Sequence, residues 1–218
     1  MNIYKKNLDR LKQNFVYNET MEHDACGVGL VASTEGVKSR KVVEYGIQAL
    51  KAVWHRGAID ADGKTGDGAG IHIEIPKDFF IEKIEITGHR HDDSDLCVGM
   101  IFLPRNDYQG QEQCRIIVES ELTKKNFNIY GWRQVPVNPS VLGEKAENTR
   151  PEITQVLFKH NDKKVIGKNL ERVLYETRRK IEKEALNNQL NGFYICSFSS
   201  KSIIYKGCLL YTSDAADE

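Results

Sequence analysis

The chain has 218 residues, 40% of them hydrophobic and 28% charged, enough apolar material for one well-cored domain and marginal for two. Lysine plus arginine and aspartate plus glutamate number 31 each, a formal net charge of zero, so nothing electrostatic favours nucleic acid or an anionic membrane as partner. No apolar run approaches the roughly 20 residues of a membrane helix, the charged start (Lys5, Lys6, Asp9, Arg10, Lys12) lacks the apolar stretch of a secretory signal, and five scattered cysteines without a C-x-x-C pair read as reduced thiols of a cytoplasmic protein.

Residues 1–25 are a polar leader in which Ile3, Leu8, Leu11 and Phe15 have the spacing of one or two turns of amphipathic helix. By pattern alone it is an N-terminal arm packed on the domain. Residues 26–33 are small and apolar and read as a buried strand, closed by a turn at 34–36. Val43, Ile47, Leu50 and Trp54 recur at helical spacing behind Ser39, so a helix capped by Ser39 is predicted over 39–54. His55, Arg56 and Gly57 follow, then a glycine-rich loop over 58–69. The next strand, 70–76, alternates Ile71, Ile73 and Ile75 against His72 and Glu74.

The charged stretch 84–95 is expected as an exposed loop, and 97–103 as a strand stopped by Pro104. A second helix starts at Asn106, with Ile116, Ile117 and Leu122 on its apolar side. Residues 127–137 read as one or two strands around Gly131, 138–151 as a loop or linker, and 153–159 as another strand. The clearest helix covers 168–187, with Leu170, Val173, Leu174, Thr177 and Ile181 on one face. Residues 193–199 and 202–206 read as a hairpin. Strands separated by a few long helices, with no regular βαβ rhythm, make the fold class α+β.

Chemistry concentrates at two places. Cys26 stands where the leader meets small residues, and Gly27 leaves its sulfur open. If the chain is cut between Ala25 and Cys26, the new α-amine can act as base for the thiol. The competing reading is a small buried hydrophobe. The run GVGLVA at 27–32 fits G-x-G-x-x-A, but a dinucleotide fingerprint needs a strand before it and a helix opening within it. Arg56 can cap the helix that ends before Gly57, or present its planar fork of donors to a site; the two roles are compatible.

Residues 60–71 resemble a calcium loop only superficially, because Lys64, Thr65 and Ile71 stand where a ligand, the glycine and the glutamate belong. His89 and His91, near Asp92 and Asp93, have no partners at metal-ligand spacing. The small residues of 65–70 permit either a close backbone approach to a site or a tight turn. Asn191 and Gly192 read as a turn.

The motif MEHDACGVGLVA at 21–32 resembles the start of the glutaminase domain of glutamate synthase large subunits, which are class II glutamine amidotransferases and N-terminal-nucleophile hydrolases. WHRGA at 54–58, TGDGAGI at 65–71, GWRQVPV at 131–137, and YICS at 194–197 with IYKG at 204–207 resemble further stretches of the same family, in the same order. The resemblance runs from about residue 17 to Gly207. It implies a four-layer αββα sandwich, with two antiparallel sheets between two helical layers.

It also implies that 1–25 is a propeptide, that Cys26 attacks the side-chain amide of L-glutamine, and that Arg56 binds the substrate. The ammonia released would aminate 2-oxoglutarate elsewhere in the parent enzyme. Another N-terminal-nucleophile amidohydrolase, or a non-catalytic interaction domain that never processes its leader, is the alternative. No cofactor or metal is expected in this segment. FMN and an iron–sulfur cluster are implied for the parent, with the other synthase domains of the same polypeptide and a reductase small subunit or ferredoxin as partners. Cys97, Cys114 and Cys196 lack cluster spacing and are expected to be core thiols. In similar enzymes the oxyanion donors lie downstream of the stretch matching 204–207. The domain is therefore expected to be partial over 26–207 and incomplete at its C-terminus, with CLLYTSDAADE at 208–218 an adapter-derived tail. As written, the chain is expected to be inactive as a glutaminase.

Overall fold

The computed structural model describes residues 3–13, 27–53, 62, 64–66, 68–92 and 94–207. Its elements are α1 (Ile3–Gln13), α2 (Arg40–Ala52), β1 (Ala69–Glu74), α3 (Lys77–Ile86), β2 (Leu96–Leu103), α4 (Tyr108–Lys124), β3 (Phe127–Gln134), a 3-10 turn (Pro139–Val141), α5 (Glu144–Thr149), β4 (Glu152–His160), α6 (Gly167–Asn187), β5 (Tyr194–Ser199) and β6 (Ser202–Gly207). All strand pairs are antiparallel. The larger sheet has the order β3-β4-β2-β5 and the smaller is β1-β6. The fold is α+β, as expected.

The strands of the larger sheet are apolar on both faces because both are covered. On one side Cys97, Ile101 and Leu103 of β2 and Val156 and Phe158 of β4 meet Cys114, Val118 and Leu122 of α4 and Leu170, Leu174 and Ile181 of α6. On the other, Leu96, Val98, Met100 and Leu157 meet Ile203 of β6 and Phe80 and Ile84 of α3. Each fully buried side chain of this size contributes about 1.5–3 kcal/mol. Against the smaller sheet, α2 rests on β1 where Gly46 meets Ile71, and Lys38 pairs with Glu74 at 2.6 Å.

Both edge strands of the larger sheet carry one extra residue. Ile129 and Gly131 oppose Phe158 and Leu157, so Tyr130 is the extra residue in β3. Ile195 and Ser197 oppose Ile101 and Met100, so Cys196 is the extra one in β5. A bulge reverses the side on which later residues face. Phe127 and Ile129 therefore share the helical side with Trp132, while Tyr130 and Cys196 turn to the inter-sheet side. Gly131 sits at φ +146° in the first bulge, a conformation glycine accepts without a clash.

Several expectations are corrected. Residues 27–33 are not a buried strand: they join neither sheet, and Val28 and Leu30 are 93% and 92% exposed. Glycine at 27 and 29 leaves little side chain to pack, and β1 and β6 pair with each other. The loop expected over 84–95 begins three residues later, because α3 runs to Ile86. Phe80 and Ile84, four apart, bury one face of α3 among its charges.

In α4 the inward face is Gln111, Cys114, Val118 and Leu122, and Ile116 is 57% exposed. Its cap is Asp107, whose carboxylate accepts from the Gly110 N–H at 2.8 Å. The stretch 138–151 holds the 3-10 turn and α5. The expected hairpin is a corner between sheets, since β6 pairs with β1 and not with β5. Across that corner β5 reaches β6 with side chains: Ser197 Oγ accepts from the Ile204 N–H at 3.1 Å, and Cys196 Sγ lies 3.3 Å from the Ile204 carbonyl. Ser39 caps α2 as predicted, accepting from the Lys41 N–H at 3.2 Å. Helix α6 and strands β1, β2 and β4 lie within a residue or two of their predicted limits. Among the described residues no helix is long and apolar enough to cross a membrane.

Candidate active site

Cys26 and Arg56 both lie outside the described residues, as do His55, the 25–26 junction and the tail 208–218. What is described is the frame on either side of them. Gly29, three residues after Cys26, lies against Ala49 of α2, where a Cβ on the glycine would be 3.8 Å from the alanine methyl. The cap of α2, Val53, leads directly into the segment that holds Arg56. Gly29 thus lies beside α2, while its neighbours Val28 and Leu30 are exposed.

The glycine-rich loop has a defined turn at its centre. Asp62 accepts from the backbone N–H groups of Lys64 and Thr65 at 2.9 and 2.6 Å and from the Thr65 hydroxyl at 2.5 Å. The Thr65 hydroxyl, then the two N–H groups, hold the Asp62 carboxyl down to about 2. This carboxylate is committed to the turn and not presented as a calcium ligand. Beyond it, Gly70 allows close backbone approach, but to β6: a Cβ there would be 2.9 Å from the Tyr205 carbonyl. Strand pairing thus accounts for that glycine.

Three of the family-like motifs meet between the two sheets. Arg133 donates to Gln155 Oε1 at 2.9 Å, Gln155 donates to the Tyr205 hydroxyl at 3.4 Å, and the guanidinium lies 5.1 Å from the Phe79 ring centre. Gln155 is fully buried, so its amide has to be satisfied within the protein. Burial pushes the Tyr205 hydroxyl up, with Gln155 and Arg133 opposing. Lys206 donates to the Tyr194 hydroxyl at 2.8 Å. These contacts tie GWRQVPV, YICS and IYKG into one inter-sheet seam. Gln155 had no sequence signal, since a lone glutamine in a strand carries none.

The remaining described cysteines are poor nucleophiles. Cys97, Cys114 and Cys196 are free and buried, and burial pushes each thiol up, in Cys114 to about 11. A neutral, enclosed thiol does not attack an amide. The two histidines weighed for a metal are both engaged. His89 Nδ1 meets the Thr87 hydroxyl at 3.1 Å, and His91 meets the Tyr130 hydroxyl at 3.0 Å and the Ser94 carbonyl at 3.1 Å. Among the described residues no group of three or more His, Cys, Asp or Glu side chains could hold a metal ion.

The family of class-II glutamine amidotransferases matches residues 26–215. The chain belongs to the class-II glutamine amidotransferases. Within them it is similar to a glutamate synthase [NADPH] large chain of Azospirillum brasilense, 53% identical over 207 residues, which is 95% of this chain and 14% of that protein. A ferredoxin-dependent glutamate synthase 2 of Synechocystis sp. is 38% identical over 187 residues, 85% of this chain and 12% of that protein. A chloroplastic ferredoxin-dependent glutamate synthase of Spinacia oleracea is 36% identical over 190 residues, 86% of this chain and 12% of that protein. This amidotransferase chain thus spans about one-seventh to one-eighth of the length of these relatives.

Proposed function

We propose that this chain is the glutaminase domain of a glutamate synthase and hydrolyses L-glutamine to glutamate and ammonia through a thioester on Cys26. The observation that carries the reading is the 53% identity to a glutamate synthase large chain across 95% of the chain. The buried, neutral state of Cys97, Cys114 and Cys196 supports Cys26 as the nucleophile.

Removal of 1–25 frees the α-amine of Cys26. An α-amine titrates at about 7.7–8.0 and a thiol at about 8.5, so a modest local shift moves the proton from sulfur to nitrogen. The thiolate attacks the side-chain carbonyl carbon of glutamine. The C–N bond breaks, the ammonium form of Cys26 returns the proton to the leaving ammonia, and a γ-glutamyl thioester remains. Water then splits the C–S bond, giving glutamate and restoring the thiol. Arg56 holds the α-carboxylate of glutamine, a planar anion that its donor fork matches.

The ammonia serves 2-oxoglutarate amination in the parent enzyme. There the other synthase domains supply FMN and iron–sulfur chemistry, with a reductase subunit or ferredoxin as electron donor, in the cytoplasm. The described cysteines do not fit a cluster, since each is enclosed among side chains of the core.

The test is made in the complete enzyme. Cys26→Ala abolishes glutamine-dependent synthesis and spares ammonia-dependent synthesis. A glutamine-analogue electrophile labels Cys26, and the intact mass lacks residues 1–25. Full activity with the leader retained, or labelling of Cys97, Cys114 or Cys196 in its place, overturns the reading.

A further inference from the structure

We infer that Arg133, Tyr205 and Gln155, in the seam between the two sheets, form a binding site for a small free carboxylate, with the ring of Phe79 against the guanidinium. Neither Cys26 nor Arg56 enters it. All four side chains belong to described elements: Arg133 to β3, Gln155 to β4, Tyr205 to β6 and Phe79 to α3.

The polarity of the seam follows from what each group can do. A guanidinium only donates, so the Gln155 oxygen faces Arg133 and accepts from Nη1 at 2.9 Å. The Gln155 amide nitrogen then faces Tyr205 and donates to its hydroxyl oxygen at 3.4 Å. The hydroxyl therefore accepts, and its own hydrogen has no acceptor among the described residues. Gln155 is fully buried and stands opposite Arg133 in the β3–β4 register, so it does not turn to solvent and reverse this order. Both ends of the chain of bonds are left as donors.

Arg133 is half-buried, yet among the described residues no carboxylate pairs with it. Its guanidinium lies 5.1 Å from the Phe79 ring centre, a stacking that fixes its plane. With Nη1 committed to Gln155, the edge that carries Nε–H and Nη2–H has no partner among the described residues. That edge matches the two oxygens of a carboxylate. The charges nearby do not neutralise it. Lys83 lies 5.3 Å from the same ring centre and pairs with Glu82 at 2.9 Å, so these two offset each other. Glu152 accepts from Gln134 at 2.5 Å. What is left is one positive charge, a planar pair of N–H donors and the Tyr205 O–H, and a carboxylate complements all three.

The experiment uses the complete enzyme, with acetate as the probe and chloride at equal ionic strength as the control. Hydrogen exchange is followed in peptides from β3 and β6. Acetate slows exchange there in the wild type, because a ligand of the folded form opposes local opening. Arg133→Met loses the slowing. Arg133→Lys keeps the charge without the fork and needs about tenfold more acetate for half the effect. Tyr205→Phe removes one donor and also needs about tenfold more; with Arg133→Lys it carries the test if Arg133→Met does not fold. A wild type indifferent to acetate overturns the inference. So does equal slowing in wild type and Arg133→Met, which marks a general salt effect, or an Arg133→Lys as responsive as the wild type, which leaves a point charge and no fork. Cys26→Ala keeps the acetate response whether or not it turns over glutamine, so the result is read separately from the glutaminase assignment.

Discussion

Two glycines show how the same residue is required for opposite reasons. Gly99 lies in β2 between β4 and β5, where a Cβ would be 2.7 Å from both Val156 Cγ1 and Phe198 Cδ2. Alanine in a strand interior normally gains over glycine, yet here overpacking reverses the sign. Gly99→Ala is expected to lose about 1–3 kcal/mol, and trimming Val156 to Ala in the same chain to recover part of that. Gly131 has nothing within 4 Å of its would-be Cβ but sits at φ +146°. Gly131→Ala is also expected to lose about 1–3 kcal/mol, and no trimming of neighbours should relieve it. Urea midpoints decide both, and a neutral or stabilising Gly99→Ala would show that β2 and β5 do not pack as described.

At the scale of elements, the bulge in β3 serves as the dock for the loop before β2. It turns Tyr130 toward His91, and the ring bridges the Tyr130 hydroxyl and the Ser94 carbonyl. The carbonyl must accept from Nε2–H, so Nδ1 is the acceptor for the tyrosine O–H in the neutral ring. Burial holds the His91 pKa below its ordinary 6.5; the Ser94 carbonyl and Asp92 oppose that, while Lys159 and Lys77 add to it. The unfolded chain therefore binds the proton more readily. This contribution is complete above pH about 6.5 and is lost as pH falls from there toward the folded value. Melting temperature should drop between pH 7.5 and 5.5, and His91→Gln should flatten that drop. An unchanged slope in the variant would remove His91 from the account. The carboxyl of Asp92 is itself held far down, first by Lys159 and then by Ser94, and titrates outside this window.

Among the described residues, two sheets are joined at the corner between β5 and β6. Glu171 of α6 grips that corner, accepting from the Ser200 N–H at 2.8 Å, the Ser200 hydroxyl at 2.7 Å and the Ser199 hydroxyl at 2.9 Å. Hydrogen bonds to a charged acceptor are the stronger kind, so Glu171→Gln is expected to cost about 1–3 kcal/mol. The loss should be local, since β1 and β6 form a two-stranded sheet, which is weak without support. Hydrogen exchange should speed up in β1 and β6 and stay slow in β2 and β4. Uniform acceleration across all six strands would mean that the corner is not a separable joint.

Periodicity alone determined α6, α2 with its Ser39 cap, and β1, β2 and β4, because each buries one stripe or a continuous apolar run that is local in sequence. The family was legible because its motifs keep their order along the chain, and the match over 26–215 agrees. Only the tertiary structure decided that β6 leaves β5 for β1, that Tyr130 and Cys196 are the residues that shift their strands' register, and that Gln155 joins Arg133 to Tyr205. It alone revealed that Gly143 is glycine for want of space beside Asp62 and Thr65. These features depend on what lies across a gap between elements distant in sequence, and a local pattern of side chains carries no record of its partner on the other side.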